Sequence, residues 1–208
     1  MNRNYQKELD KITEGLGQRV PTLLLHSCCA PCSSYVLEYL SRFFEITVFY
    51  YNPNIFPESE YLKRVEEVKR LIRELPHLNP VHFIEGRYEP EKFFEAAQGL
   101  EKEPEGGKRC EKCFRLRLLE AAKAAQEGHF DYFTTTLTIS PLKNAGLLNA
   151  IGEEYEKELT VSWLPSDFKK KDGYKRSVEL SGKYGLYRQD FCGCVFSKKE
   201  RDDFHSAG

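Results

Sequence analysis

The chain has 208 residues, 40% of them hydrophobic and 30% charged, a composition typical of a globular protein that buries a sizeable core. Its formal net charge of −1 excludes a global positive field, so any contact with nucleic acid must use local patches. No apolar run approaches the roughly 20 residues of a membrane-spanning helix, and the segment 1–21 lacks the apolar core of a signal peptide. We therefore expect a soluble, cytoplasmic protein.

Strand and helix patterns alternate along the chain. Short apolar or β-branched runs predict strands at 22–25, 45–51, 81–84, 132–136 and 160–164. Amphipathic stripes and start signals predict helices at 2–17, 31–41, 58–75, 90–98, 110–127, 143–158 and 174–184. The connecting segments are predicted as loops at 52–57, 99–108, 137–141, 166–173 and 187–194, followed by a short polar tail.

This alternation predicts an α/β fold with a Rossmann-like parallel sheet and helices on both faces. We expect a single domain over residues 1–208, in which 86–110 and 165–196 are loop insertions that contribute to the active site. Open sheets of this class bind ligands at the carboxyl ends of their strands. The loops that follow the strands are therefore the first candidates for chemistry.

Seven cysteines are many for an intracellular chain, and their odd number argues against a structural disulfide framework. They form three groups: Cys28, Cys29 and Cys32; Cys110 and Cys113; Cys192 and Cys194. The first group follows a predicted strand and opens a helix, where Pro31 suits the first turn. The positive end of a helix also favours thiolates. Clustered cysteines at such a place indicate metal or redox chemistry.

Cys110 and Cys113 are three residues apart at a helix start, so both sulfurs can bind one metal centre. Lys108 and Arg109 just before them favour the thiolate form. With the first group they offer up to five sulfurs to one centre, and soft thiolates select an iron–sulfur cluster or zinc.

Two simpler interpretations of these cysteines remain open. One is a structural zinc site built from Cys29, Cys32, Cys110 and Cys113, although 77 residues (33 through 109) separate the pairs and zinc modules typically space them by about 12–20. The other is a thioredoxin-like redox pair in Cys29-Ala30-Pro31-Cys32. That pair leaves Cys28 and the second group unexplained.

Cys192-Gly193-Cys194 can close only a small, strained disulfide ring, which is the easily reduced kind. The pair is therefore a candidate electron carrier or metal ligand. Asp190 is a candidate oxygen ligand or proton donor, and Tyr187 and His26 are further candidate donors.

Two polar segments carry weaker signals. The hydroxyl-rich stretch with Thr134, Thr135, Thr136, Thr138 and Ser140 is a candidate phosphate or substrate turn. A basic patch of Lys169, Lys170, Lys171, Lys175 and Arg176 is a solvated loop by default. It becomes a candidate phosphate-backbone contact if the substrate is a nucleic acid.

Five motifs between Pro21 and Ser197 together resemble the QueH family of epoxyqueuosine reductases. They are His26-Ser27-Cys28-Cys29-Ala30-Pro31-Cys32, Tyr51-Asn52-Pro53-Asn54-Ile55, Cys110-x-x-Cys113, Thr136-Leu137-x-x-Ser140-Pro141 and Tyr187-Arg188-Gln189-x-Phe191-Cys192-Gly193-Cys194. The resemblance implies reduction of epoxyqueuosine in tRNA to queuosine, the last step of queuosine biosynthesis. It also implies a [4Fe-4S] cluster without cobalamin, and a fold akin to the adenine nucleotide alpha-hydrolase (PP-loop) group.

Carried over residue by residue, the resemblance implies cluster ligands at Cys28, Cys29, Cys110 and Cys113 and a redox-active disulfide pair at Cys192 and Cys194. Cys32 is a candidate ligand for an additional mononuclear iron. Asp190 or Tyr187 would supply a proton, and a separate electron donor is required. The residues by themselves leave any four of the seven thiols open as the ligand set.

Two other functions compete with this interpretation. A PP-loop tRNA sulfur transferase also uses a cysteine-bound cluster, but it needs ATP and a glycine-rich phosphate loop, which this sequence lacks. A zinc-stapled RNA-binding module would have no catalytic activity, and its purified protein would be colourless rather than brown.

Overall fold

Five parallel strands form the sheet of the computed structural model, which describes residues 3–206 apart from the side chain of His205. Their order is β3-β2-β1-β4-β5. The strands are β1 (Thr22–His26), β2 (Glu45–Tyr50), β3 (Val81–Glu85), β4 (Tyr132–Thr135) and β5 (Ser162–Trp163). The parallel α/β sheet predicted from the sequence is confirmed. β5 is shorter than expected, with two residues in place of 160–164.

Eight helices surround this sheet in the described part of the chain. They are α1 (Tyr5–Gly15), α2 (Ala30–Leu40), α3 (Glu58–Glu74), α4 (Pro90–Ala97), α5 (Lys108–Glu127), α6 (Ala145–Glu158), α7 (Gly173–Lys183) and α8 (Val195–Ser206). The first seven match the predicted helices within three residues at each end; residue 2, the predicted start of the first, lies outside the described residues. None of these helices is long and apolar enough to cross a membrane.

The apolar core lies on both faces of the sheet because β1 is buried on both. Leu23 and Leu25 pack with α1, α2, α3 and α7 on one face. Leu24, the residue between them, packs with Phe133 and with α5 and α6 on the other. A strand that is buried on two sides has a continuous apolar sequence. Leu23-Leu24-Leu25 is such a sequence.

The polar tail expected after residue 194 is wrong: Val195–Ser206 is the helix α8. Its sequence is polar, and a distant residue contacts it. The buried Arg109 forms an ion pair with Glu200 at 3.1 Å and lies 4.5 Å from the ring centroid of Phe196. The loop expected at 137–141 also contains a short 3-10 turn, Thr136–Ile139.

The strand order reverses between β1 and its neighbours β2 and β4. The next segments of the chain leave in opposite directions at that point, which opens a crevice at the carboxyl ends of the strands. The loops after β1, β2 and β4 meet there, and they carry Cys28, Asn52 and Thr136.

Candidate active site

Three sulfurs stand together at the carboxyl end of β1. The Sγ atoms of Cys28, Cys29 and Cys32 lie within 4.8 Å of one another, with 3.7 Å between those of Cys28 and Cys29. Cys29 has an extended backbone and caps α2, and Pro31 occupies the first turn, where its missing N–H costs nothing. The sharp entry into this helix directs three thiols to one point.

The electrostatics of this group single out Cys28 as the anionic sulfur. Hydrogen bonds from the Cys29 and Cys32 thiols, together with the nearby cations Arg117 and Lys143, hold the pKa of Cys28 well below its usual value. Hydrogen bonding to Cys28 and burial raise the pKa of Cys29 to about 12 and that of Cys32 well above its usual value. Of the three thiols, Cys28 therefore loses its proton most readily.

A buried polar network fixes the loop that carries these thiols. Asn52 Nδ2 donates to the Ser27 carbonyl at 2.8 Å, and the hydroxyls of Ser27 and Ser33 are 2.7 Å apart. The backbone N–H of Cys28 donates to Thr136 Oγ1 at 3.3 Å. Segments after three different strands thus hold the first thiol group in place.

The other four cysteines line a second cavity of about 170 Å³. The Gly106 N–H donates to Cys110 Sγ at 3.2 Å, and the Ser197 N–H donates to Cys194 Sγ at 3.4 Å. Burial is the main cause that raises the pKa of Cys113 to about 12. Burial and the neighbouring Cys192 raise the pKa of Cys194 as well.

The first cavity, of about 310 Å³, adjoins the second. Both are lined by the same five residues, Asn54, Glu105, Leu142, Lys143 and Cys192, and the first is also lined by Cys28, Cys29 and Cys32. Cys192, a member of the second group, therefore also borders the cavity of the first group. All three cysteine groups predicted from the sequence meet at one edge of the sheet.

Arg117, which is fully buried, joins the two sulfur groups electrostatically. Its Nη1 lies 3.9 Å from Cys113 Sγ, its Nη2 donates to Asn52 Oδ1 at 2.6 Å, and its charge interacts with Cys28. A buried cation at this position offsets the negative charge of several thiolates. Soft sulfur donors with a compensating cation fit a thiolate-bound metal centre.

The candidate proton donors have different surroundings. Asp190 lines the first cavity and forms an ion pair with Arg201. The Tyr187 hydroxyl donates to Glu60 at 3.2 Å, and Tyr187 is not among the residues that line either cavity within residues 3–206. Burial and Glu60 raise the pKa of Tyr187, so its hydroxyl keeps its proton at neutral pH.

His26 is fully buried, and burial together with Arg117 lowers its pKa to about 3. Its Nε2 lies 3.1 Å from the Tyr51 carbonyl and 3.4 Å from Arg117 Nε. Its Nδ1 lies 2.8 Å from the Thr135 hydroxyl. A neutral histidine with both nitrogens engaged orders the loop and has no acidic proton to give at neutral pH.

The basic patch is largely neutralised by ion pairs. Lys169 pairs with Asp167, Lys171 with Asp10, and Arg176 with both Glu38 and Glu179. The hydroxyl-rich stretch is buried at Thr134, Thr135, Thr136 and Thr138, where the hydroxyls bond to neighbouring loops. In both segments, these side chains therefore make structural contacts in place of the phosphate or substrate contacts considered from the sequence.

Sequence reasoning gave no role to four polar residues of the site, namely the buried Arg64, Arg117 and Asn54 and the half-buried Gln189. A signal for one of them existed: Arg117 lies four residues after Cys113 in α5 and so on the same helix face. Arg64 follows Tyr61 by three residues in the buried stripe of α3. A charged residue inside an apolar stripe is more often a snorkelling surface residue, so neither was singled out.

Comparisons with known proteins agree with this geometry. The family model described as epoxyqueuosine reductase QueH matches residues 23–200. Proteins named epoxyqueuosine reductase QueH are similar to the chain in Staphylococcus epidermidis (47% identity, 97% of this chain and 87% of the relative) and Streptococcus pyogenes serotype M1 (44%, 96% and 81%). The relative of that name in Thermotoga maritima is 37% identical over 89% of this chain and 94% of its own length. Because the match spans the sheet and all three cysteine groups, the chain belongs to the QueH family of epoxyqueuosine reductases.

Proposed function

We propose that this protein is an oxidoreductase that reduces epoxyqueuosine in tRNA to queuosine in the cytoplasm. Family membership supports the reaction, and one observation supports its location. Cys192 lines both cavities and so adjoins the thiols after β1 as well as those at the start of α5. Redox-active sulfur and a cavity large enough for one modified base therefore share one edge of the sheet.

We propose that Cys28, Cys29, Cys110 and Cys113 hold a [4Fe-4S] cluster and that Cys32 is left for an additional mononuclear iron. The position of Arg117 between Cys28 and Cys113 supports this set, because a thiolate-bound cluster is anionic. When bound, such a cluster supplies Lewis acidity and electrons one at a time. The competing four-sulfur set consists of the residues that line the second cavity, Cys110, Cys113, Cys192 and Cys194.

Cys192 and Cys194 are free cysteines in this structure, and as a dithiol the pair holds the two electrons and two protons that the reaction consumes. Oxidation of the two thiols to a disulfide releases two electrons and two protons. The epoxide accepts them, loses its oxygen as water and becomes an alkene. An external electron donor then returns the disulfide to the dithiol.

The backbone at Gly193 fixes the conformation of the loop that carries Cys192 and Cys194. Gly193 has a φ of +118°, which residues with a side chain rarely adopt, and a Cβ there would lie 3.0 Å from Arg64 Nη1 and from Ile55. The Phe56 N–H donates to the Gly193 carbonyl at 3.0 Å. The two thiols are thus held on a loop that only glycine permits.

Asp190 and Tyr187 remain our proposed proton donors. Asp190 lines the first cavity directly. Tyr187 reaches the site through Glu60, because the Glu60 carboxylate accepts from the Tyr187 hydroxyl and from Arg64 Nε at 2.7 Å. Either residue would give a proton to the epoxide oxygen and regain one from the dithiol as its thiols are oxidised.

We propose that residues 1–208 form a single domain whose segments 86–110 and 165–196 complete the active site. The first segment contributes Glu105 and Cys110 to the cavity walls, and the second contributes Tyr174 and Cys192. Leu142 and Tyr174, which are 75% and 40% exposed, line the first cavity and offer apolar surface to a base of the tRNA. A zinc-stapled RNA-binding module would need neither the cavity nor a third pair of thiols.

Replacing Cys192 or Cys194 by serine is expected to abolish turnover of epoxyqueuosine-containing tRNA, because the dithiol is lost, while iron and sulfide stay at the wild-type level. The measurement is anaerobic iron and sulfide analysis with an assay for queuosine formation. Cys110→Ser is the matched variant and should lose iron.

Normal turnover by Cys192→Ser would reject the electron-carrier role. Loss of iron from Cys192→Ser would instead assign this residue to the competing ligand set. A colourless, zinc-loaded wild type without activity would reject the reductase and favour the binding module.

A further inference from the structure

Three residues that line the first cavity each carry a buried polar atom that has no hydrogen-bond partner within residues 3–206. The atoms are Asn54 Oδ1, Arg64 Nη2 and Gln189 Oε1. Five such atoms occur on the described residues, so three of the five belong to this one cavity. Because buried polar atoms without partners are costly and rare, their concentration indicates a site built for a polar ligand.

The two innermost residues are held rigidly. The Arg64 side chain is 2% exposed; its Nε donates to Glu60 at 2.7 Å and its Nη1 to the Cys192 carbonyl at 3.1 Å. These two bonds fix the guanidinium plane and leave Nη2 as the remaining donor group. Asn54 is 1% exposed and lies in the turn closed by the hydrogen bond from Ile55 N–H to the Asn52 carbonyl.

We propose that Asn54, Arg64 and Gln189 bind the hydroxylated cyclopentane ring of epoxyqueuosine, an assignment that rests on the proposed function. The ring carries hydroxyl groups and the epoxide oxygen, and a secondary amine links it to the base. The two amide oxygens accept from its hydroxyl or amine protons, and Arg64 Nη2 donates to one of its oxygens. The three residues thus match the donors and acceptors of the ring.

The surroundings support this ligand over a larger part of the tRNA. The cavity of about 310 Å³ has the size of a site for one small group rather than for a nucleic-acid strand. Its walls include the thiols of Cys28, Cys29, Cys32 and Cys192. A ring bound to the three polar residues would therefore lie beside the sulfurs that the proposed reaction uses.

The test compares two forms of one tRNA, with epoxyqueuosine or with unmodified guanine at the same anticodon position. We expect Asn54→Leu and Gln189→Leu each to weaken binding of the epoxyqueuosine form about tenfold, since each removes a partner of a buried polar group. Binding of the guanine form should not change, because guanine lacks the ring. Gln189→Glu keeps an acceptor and should stay near the wild-type affinity for the epoxyqueuosine form.

Gln126→Leu is the matched control. Gln126 is half-buried, and its amide donates to Thr160 Oγ1 in an exposed hydrogen bond, about 24 Å along α5 from Cys110. Thermal unfolding of each variant identifies any that fails to fold. If Asn54→Leu fails to fold, Gln189→Leu alone provides the test.

Equal weakening of both tRNA forms, or no weakening of either, would overturn the subsite while leaving the reductase activity of the wild type intact. A wild type that discriminates between the two forms through these residues but forms no queuosine would instead overturn the proposed function. The two ideas therefore fail on different measurements.

Discussion

Asn149 shows how one buried amide organises the segment that leads into the site. Its Nδ2 donates to the carbonyls of Ala145 and Ser166 at 2.7 and 2.8 Å, and its Oδ1 accepts from Trp163 Nε1 and from the Ser166 N–H, both at 3.0 Å. The side chain is fully buried and uses both ends of its amide. It thereby ties α6 to β5 and to the start of the 165–196 segment.

Asn149→Leu is expected to lower the free energy of unfolding by about 3 kcal/mol, because the Trp163 indole and the Ser166 backbone lose their partners in a dry environment. For a chain of this size that corresponds to a fall of about 6–12 °C in Tm. Differential scanning calorimetry measures the change. Asn79→Leu, which removes one side-chain hydrogen bond to the Ser41 carbonyl, should cost less than about 1.5 kcal/mol; equal losses would contradict this role for Asn149.

At the scale of elements, α6 approaches β5 closely enough to require a glycine. A Cβ at Gly152 would lie 2.1 Å from a ring carbon of Trp163, which is far inside van der Waals contact. The Trp163 ring also packs edge-on against Phe133, with centroids 5.0 Å apart. The indole therefore has little room to move away from the helix.

Two glycine-to-alanine changes in helices should have effects of opposite sign. Gly152→Ala is expected to destabilise the protein by about 1–3 kcal/mol through overpacking against Trp163. Gly182→Ala in α7, where no atom lies within 4 Å of the added Cβ, should stabilise it by about 0.5–1 kcal/mol, because alanine loses less backbone entropy. Chemical denaturation of both variants checks the prediction, which a stable Gly152→Ala protein would refute.

Across the whole molecule, the sulfur-bearing segments come from three distant parts of the chain, and the buried Arg109 contacts two further segments beside them. Arg109 donates to the carbonyls of Leu100, Glu101 and Glu103 in the loop before α5. It also forms the ion pair with Glu200 of α8. The loop and the last helix are thereby joined at the second cavity.

A metal centre bound by cysteines from separate segments should stabilise the whole fold, since it binds the native arrangement in preference to the unfolded chain. At a free metal concentration of 100 times Kd the gain is about 2.7 kcal/mol, which raises Tm by about 5–11 °C. Anaerobic thermal unfolding of reconstituted and chelator-treated protein measures it. A Cys28→Ser, Cys110→Ser double variant should show no gain; an equal gain in that variant would place the metal elsewhere.

The fold could be predicted largely from local patterns. The runs Leu23-Leu24-Leu25 and 45–51 signal buried strands, and Pro31 and Pro90 mark helix starts, because these preferences depend on neighbours in the chain. The helix α8 could not be predicted, since its residues are polar and its anchor, Arg109, lies some 90 residues earlier. The 3-10 turn Thr136–Ile139 and the short length of β5 could not be predicted either, because they depend on packing.

For the site, the sequence by itself determined which chemistry is present: seven thiols, three of them at the end of a buried strand, in motifs that resemble one family. Only the tertiary structure decided that Cys110 and Cys113 share a cavity with Cys192 and Cys194 and that Arg117 lies between sulfur groups. It also decided that Asn54, Arg64 and Gln189 line one cavity, each with a polar atom that has no partner in the described part of the chain. The physical reason is that side-chain identity and helix or strand preference are local. Burial, partner satisfaction and charge compensation depend on residues that meet only when the sheet has formed.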